Sequence, residues 1–149
     1  MTPRALEVYL HQHIPLSLAM GVAVAEAGEG GVRLASPLAP NRNHRGTAFG
    51  GSVSSLAVLS AWALLHLRLR AAGHAARLVI QKSEFSYLKP IPDAFEAVCP
   101  APSPAAWGRF LSAFERKGRG RLTLAAQVRC GGVEAGLFSG DYVALRGKE

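Results

Sequence analysis

The sequence predicts an α+β domain in which one long helix is wrapped by an antiparallel sheet of about five or six strands. Three observations indicate this fold class. Residues 50–72 are apolar on nearly every side of a helix, residues 121–129 alternate apolar and polar side chains, and further strand-like runs surround them. The chain has 149 residues, the usual size of one domain, so residues 1–149 are predicted to form a single domain.

The first elements are predicted to be a short helix and a hairpin. Apolar residues recur at helical spacing in residues 3–13, after a Thr-Pro start that suits a helix cap, and Pro15 ends this helix. Residues 21–26 and 32–38 flank a glycine-rich turn, which is typical of a β-hairpin. Pro37 and Pro40 then mark a loop.

The central helix is the clearest element. A helix that is apolar all round must be buried on most sides, and about 20 residues give a length of about 30 Å. Gly73 is a plausible stop, and Arg68 and Arg70 suit the negative end of the helix dipole.

Strands are predicted after the helix at residues 77–88, 94–98, 121–129, 133–138 and 142–145, with a break at Gly140-Asp141. The alternation in the first of these places Val79, Phe85 and Tyr87 on one face. Residues 105–117 fit either a helix or an irregular strand. A sheet covered by one helix leaves an edge that needs cover, which favours dimerisation.

The charge balance suits anionic ligands. There are 17 Lys+Arg against 10 Asp+Glu, a net charge of +7, which would attract an anionic small molecule, an acidic protein or nucleic acid. Aromatic residues do not interleave with the densest basic cluster, residues 116–121, so we do not expect nucleic-acid binding. No Asp or Glu occurs between Glu29 and Glu84, so this segment cannot supply a local carboxylate.

The spacing of the cysteines argues against a metal site, and the apolar runs argue against a signal peptide or a membrane span. Cys99 and Cys130 are isolated from each other and from paired histidines, which predicts two partly buried strand thiols, with no metal site and no cofactor. The N-terminus shows no signal-peptide pattern, and the longest apolar run, residues 56–67, is shorter than the ~20 residues of a membrane span. We therefore expect a cytoplasmic protein that does not bind membranes.

Residues 41–52 contain the candidate catalytic and binding residues. This segment, Asn-Arg-Asn-His-Arg-Gly-Thr-Ala-Phe-Gly-Gly-Ser, runs from a polar loop through three glycines into the buried helix. The free amides of a first helical turn favour an oxygen that gains negative charge during acyl transfer. His44 is the one nearby side chain of a type that exchanges protons near neutral pH. A glycine-rich helix entry beside a solvated histidine is the purely structural alternative.

Residues 43–52, Trp62 in the following helix and the strand end Tyr87-Leu88-Lys89-Pro90 resemble the thioesterase family named after the C-terminal half of the bacterial YiiD protein. That family belongs to the hotdog-fold superfamily, whose members mostly act on acyl thioesters of coenzyme A or carrier protein. The resemblance covers nearly the whole chain. It implies a hotdog fold, hydrolysis of acyl-CoA or acyl-carrier-protein thioesters, and a homodimer or dimer of dimers with each site between subunits.

The resemblance also implies roles for individual residues. The thioester carbonyl would lie against the amides of Gly50 and Gly51, while Asn43 and His44 orient or activate water. The nearest carboxylate, Glu84, could reach the partner's site, or it could face outward and pair with Lys82. The remaining predicted substrate contacts are Thr47, Phe49, Ser52, Ser83 and Tyr87, with Ser52 a helix-start hydroxyl rather than a nucleophile.

Two other functions stay open at this stage. Many hotdog thioesterases place an Asp or Glu on or just before the central helix, and this sequence has none there. That absence motivates a non-catalytic module that binds acyl-CoA or fatty acid. A dehydratase acting on β-hydroxyacyl thioesters would need a carboxylate opposite His44, and only Glu84 could serve.

Overall fold

A single six-stranded antiparallel sheet packs against one long helix in this computed structural model, which describes residues 1–148. The strand order is β1-β2-β4-β5-β6-β3, so β1 and β3 form the two edges. The α+β class, the single long helix and the number of strands are confirmed. The helices are α1 (Pro3–His13), α2 (Pro15–Ala19), α3 (Gly50–Ala71) and α4 (Pro104–Lys117), and the strands are β1 (Ala23–Gly28), β2 (Gly31–Ser36), β3 (Ala76–Tyr87), β4 (Phe95–Pro100), β5 (Arg119–Cys130) and β6 (Val133–Arg146).

The central helix α3 forms the core together with the inner face of the sheet. Half of its 22 residues are buried, and the phenol of Tyr142 on β6 donates a 2.7 Å hydrogen bond to the Val58 carbonyl oxygen in the middle of α3. Within residues 1–148, α3 is the one helix long and apolar enough to cross a membrane, but it is mostly buried, as the core helix of a globular protein also is. It ends, as predicted, before Gly73, whose φ is +83°.

Three local expectations need correction. Pro15 ends α1 but also begins the short helix α2, because proline is well tolerated in a first helical turn. Residues 133–146 form one unbroken strand, and Gly140 is a packing position rather than a break. A Cβ at this glycine would lie 2.6 Å from the Phe138 ring, so only glycine leaves room for that ring. The undecided residues 105–117 belong to α4, which is capped by Ser103 and buries Phe110 and Phe114.

A β-bulge at Gln81 changes the faces predicted for β3. Its pairing with β6 shifts between Ile80 and Lys82, so the alternation reverses there. Leu78 and Phe85 therefore both pack against the core, whereas Val79 is 48% exposed on the outer face. The prediction that Val79 and Phe85 share a face is wrong for this reason. The alternation predicted for β5 is confirmed, with Leu122, Leu124, Ala126 and Val128 buried.

Candidate active site

The first turn of α3 presents two free backbone donors. Phe49 occupies the cap position without a side-chain cap, and its carbonyl accepts hydrogen bonds from the amides of Ser52 and Val53. The amides of Gly50 and Gly51 have no acceptor among residues 1–148. Such donors carry partial positive charge and favour an anionic or carbonyl oxygen. The structure thus supports the expectation that this helix start can receive an oxygen.

Aromatic rings lie over both glycines of this turn, and the one over Gly51 leaves no room for a Cβ. A Cβ on Gly51 would lie 2.4 Å from the Phe49 ring, and one on Gly50 would lie 3.4 Å from the Tyr87 ring. The Tyr87 hydroxyl also donates a 3.0 Å hydrogen bond to the Gly50 carbonyl oxygen. Phe49 and Tyr87 are each 58% exposed, so these rings frame the helix start at the surface. The two predicted aromatic contacts do lie beside the two predicted glycines.

Asn43 holds the loop before α3 closed. Its Oδ1 accepts hydrogen bonds from the amides of Arg45 and Thr47, at 2.8 and 3.1 Å, and its Nδ2 donates to the Thr47 Oγ1 at 2.8 Å. The turn is completed by Gly46, whose φ of +79° suits glycine. Because its oxygen already accepts two bonds, Asn43 fixes the loop rather than presenting that oxygen to a water. Its expected role in orienting water thus becomes one of positioning.

His44 is exposed on this loop. It makes no hydrogen bond or ion pair with any other residue in the part of the chain that the structure describes. It does not line the cavity described next. The single chain therefore leaves its imidazole unoriented, on the residue that follows the lining residue Asn43.

A cavity of about 370 Å³ opens beside the start of α3. It lies where the loop before α3 meets the segment after β3. A backbone hydrogen bond from Ala48 N to Ile91 O at 2.8 Å joins these two parts, and one from Leu88 N to Ala135 O at 2.9 Å joins the second part to β6. The lining contains one cation, Lys89, and no carboxylate. The lining residues are Asn43, Thr47, Ala48, Gly50, Val53, Tyr87, Leu88, Lys89, Pro90, Ile91 and Ala135.

Glu84 lies on the other side of the sheet. After the bulge at Gln81, Glu84 pairs with Ser139 on the face that points away from α3, and its side chain is 74% exposed beside Lys82 at 3.7 Å. In the single chain, Glu84 therefore faces outward beside Lys82. The structure does not bring this carboxylate to the glycine-rich turn. Ser83 lies on the α3 side of β3 and is exposed, and Ser52 is half-buried in the first turn of α3.

Several lining residues escaped the sequence analysis. Three of them belong to the segment that resembles the family, so the sequence drew attention to them without indicating a role: Leu88, Lys89 and Pro90. No sequence pattern indicated that Val53, Ile91 and Ala135 would line the cavity. Ala135 precedes the glycine that accommodates Phe85, and only the pairing of β6 with β3 brings it to the site.

The thiols and acidic groups supply no alternative centre. Cys99 is fully buried, which raises the pKa of its thiol to about 12, and Cys130 is half-buried in β5. Both thiols lie in strands, as predicted, but Cys99 is fully rather than partly buried. Across residues 1–148, no group of three or more His, Cys, Asp or Glu side chains could hold a metal ion.

Comparisons with known proteins agree with this architecture. The family model described as "Putative thioesterase (yiiD_Cterm)" matches residues 3–146. A structure of a protein of unknown function from Chlorobaculum tepidum TLS is similar at 28% identity and a TM-score of 0.93, with 98% of each chain covered. A structure titled "putative thioesterase" from Shewanella oneidensis is similar at 26% identity and a TM-score of 0.86, with 96% of each chain covered.

A third structure shares the fold at lower identity. It is a Pseudomonas aeruginosa protein of unknown function, titled "probable thioesterase", which is 19% identical with a TM-score of 0.82 and 97% of each chain covered. The hotdog fold implied by the resemblance is confirmed. With nearly all of its length matched, the chain belongs to the putative thioesterase family named after the C-terminal region of YiiD.

Proposed function

We propose that this protein hydrolyses acyl thioesters of coenzyme A or of an acyl-carrier protein. The observation that carries the proposal is the pair of acceptor-free amides at Gly50 and Gly51, at the edge of a cavity of about 370 Å³. A thioester carbonyl oxygen placed against them would gain most when it becomes an oxyanion. The family and fold support a hydrolase of this class, and the single cation of the lining, Lys89, suits an anionic thiol carrier.

The reaction needs little from acidic side chains. Water adds to the carbonyl carbon, so that a C–O bond forms and the oxyanion rests on the two amides. The C–S bond then breaks, and the electron pair leaves with the thiolate. A thiol has a pKa of about 8.5, so this leaving group departs without a general acid. The proton of the water is left for a base, and His44, on the loop next to the lining residue Asn43, is our candidate to accept it.

We also propose that two copies pair through β3. This edge strand is 12 residues long, and all but three of its residues are exposed. A long exposed edge is a ready template for another strand. Antiparallel pairing of two copies uses a two-fold axis perpendicular to the sheet, which keeps each face on its own side. Glu84 would then stay on the outer face of the joined sheet, whereas Tyr87 and the start of α3 would stay on the inner face.

The residues that line the cavity beside the start of α3 would also suit one other function. The lining contains no carboxylate, and Asn43 is committed to its loop, so the cavity has hydrogen-bond donors for an oxygen but no oriented base. A module that binds an acyl thioester without cleaving it would need only these parts. A dehydratase is disfavoured, because Glu84 does not face His44.

The decisive experiment measures turnover on acyl-CoA thioesters from acetyl to palmitoyl. We expect hydrolysis by the wild-type protein and a loss of about tenfold or more in kcat/KM for His44→Ala. His74→Ala is the matched control, since His74 lies beyond the far end of α3 and contacts Glu115, and its activity should be unchanged. Saturable binding of an uncleavable thioether analogue without any turnover would select the binding module. Neither turnover nor binding would refute both functions.

A further inference from the structure

A second cavity, of about 210 Å³, lies between α2 and α3. Its lining has no charged residue. Leu16, Ser17 and Met20 line it from the α2 side, and Ser55, Val58 and Trp62 line it from α3. It opens beside Leu16, which is 57% exposed. Neither the family description nor the candidate active site accounts for this space.

The helical spacing connects this cavity with the free amides. Gly51, Ser55, Val58 and Trp62 follow one another at intervals of four, three and four residues, so they lie on one side of α3. Ser55 is one turn beyond Gly51, about 6 Å along the helix axis. An apolar chain attached to a carbonyl at the Gly51 amide can thus enter the cavity by running along this side of the helix.

Trp62 closes the far end. Its ring stacks on His66 with centroids 5.1 Å apart and planes within 10°, and His66 stacks in turn on Tyr9 at 4.5 Å. These contacts tie the indole of α3 to α1 and hold it in place. A chain that reaches Trp62 therefore meets a rigid wall.

We propose that the cavity between α2 and α3 holds about the last seven carbons of an acyl chain of about twelve, and that Trp62 sets the length of the chain. The estimate follows from the volume, because an apolar cavity of about 150 Å³ accommodates benzene. The proposal rests on the proposed function, since the carbonyl of the chain is placed at Gly51. It adds a chain-length class and a residue that determines it.

The test reads contact with Trp62 directly and needs no catalysis. The chain has two tryptophans, and Trp107 lies on α4 beneath Arg68. Trp107→Phe leaves Trp62 as the single fluorophore, and Trp62→Phe leaves Trp107 as the matched control. The probe is dodecanoic acid with bromine on its last carbon. Its carboxylate suits the helix N-terminus, and its bromine quenches an indole that it touches.

We expect saturable quenching in the Trp107→Phe protein, at least five times stronger than in the Trp62→Phe protein. Propionic acid brominated on its last carbon should quench neither, because it cannot reach from Gly51 to Trp62. Val58→Phe and Ser55→Leu, each added to Trp107→Phe, fill the cavity from α3 and should abolish the quenching. Thermal unfolding identifies the filled variant that keeps its fold.

Equal quenching of both tryptophans, absence of quenching, or full quenching in a folded filled variant would overturn the assignment. Hydrolysis of thioesters without quenching of Trp62 would remove this cavity and leave the proposed function. Quenching without any hydrolysis would keep the chain site and remove the hydrolase.

Discussion

The hydroxyl of Tyr87, the last residue of β3, donates a 3.0 Å hydrogen bond to the carbonyl oxygen of Gly50, the first residue of α3. This bond joins two elements that lie 37 positions apart in sequence, and it lies on the rim of the larger cavity. The end of the edge strand and the start of the core helix are thus held in one arrangement at the site where the oxyanion is expected.

Tyr87→Phe should reduce catalysis more than stability. The ring stays over Gly50, and the lost bond is exposed, so we expect unfolding to become easier by about 0.5 kcal/mol. A helix start that is less firmly held should lower kcat/KM for an acyl-CoA substrate by about threefold to tenfold. Steady-state kinetics and thermal unfolding measure the two effects. Unchanged kinetics would show that this bond does not position the amides.

Gly51→Ala should separate helix propensity from site geometry. Alanine favours the helix over glycine by about 1 kcal/mol, so the Tm should not fall. The new Cβ would lie 2.4 Å from the Phe49 ring, which must move, and we expect kcat/KM to fall by about tenfold. In a Phe49→Ala background the same change should cost less than about twofold. An equal loss in both backgrounds would contradict the role of this ring contact.

Glu84→Gln should leave turnover within about twofold of wild type. The carboxylate lies on the outer face of the sheet beside Lys82 and is 74% exposed. Exposed pairs of this kind contribute ~0–1 kcal/mol, so stability should also change little. Steady-state kinetics on an acyl-CoA substrate provide the check. A loss of more than about tenfold, in a protein of unchanged oligomeric state, would restore Glu84 as a candidate base.

Tyr142→Phe should weaken the attachment of α3 to the sheet. It removes the buried 2.7 Å hydrogen bond to the Val58 carbonyl but preserves the ring, so we expect a loss of about 1 kcal/mol. For a domain of this size, that corresponds to a fall in Tm of about 3 °C. Calorimetry provides the measurement. Tyr87→Phe, whose lost bond is exposed, is the matched control and should fall less.

The carboxylate of Asp141 should make stability sensitive to acid. Hydrogen bonds from the Thr123 hydroxyl at 2.7 Å and the Arg121 guanidinium at 2.9 Å hold its pKa below its ordinary value in the folded chain. A lowered folded pKa gives stability that is present above the unfolded pKa of about 4 and is lost as the pH falls through the folded pKa. Denaturant unfolding at pH values across that range should therefore show a smaller acid loss for Asp141→Asn than for wild type.

The sequence predicted the structure best where a residue pattern has a single physical cause, such as burial. The apolar surface of α3 and the alternation of β5 reflect burial directly, so both were predicted correctly. Gly140 looked like a break because glycine is typical of turns, whereas here it makes room for the Phe138 ring, which only the packed sheet reveals. The bulge at Gln81 likewise leaves no mark in residue type.

The residues of the candidate site likewise fall into those that could be predicted from local sequence and those that depend on the folded structure. The glycine-rich turn is local, so its residues could be chosen from sequence. Ala135 reaches the cavity only through long-range strand pairing, and the commitment of Asn43 to its own loop depends on backbone geometry at Gly46. The ion pair between the half-buried Arg33 on β2 and Glu96 on β4 could not be foreseen either, because it follows from the register of those strands.

The extra residue at Gln81 has a consequence for comparing this chain with its relatives. An alignment that extends the strand by simple alternation places every β3 residue after position 81 on the opposite side of the sheet. Deletion of Gln81 itself would restore regular pairing and leave Lys82 and Glu84 on the outer face and Phe85 on the inner face. Conversely, a relative whose strand has the same number of residues but pairs without the bulge would bring the residue at the position of Glu84 to the inner face, with no change of residue type. The pairing of this strand, as much as its composition, decides which charges can enter the site.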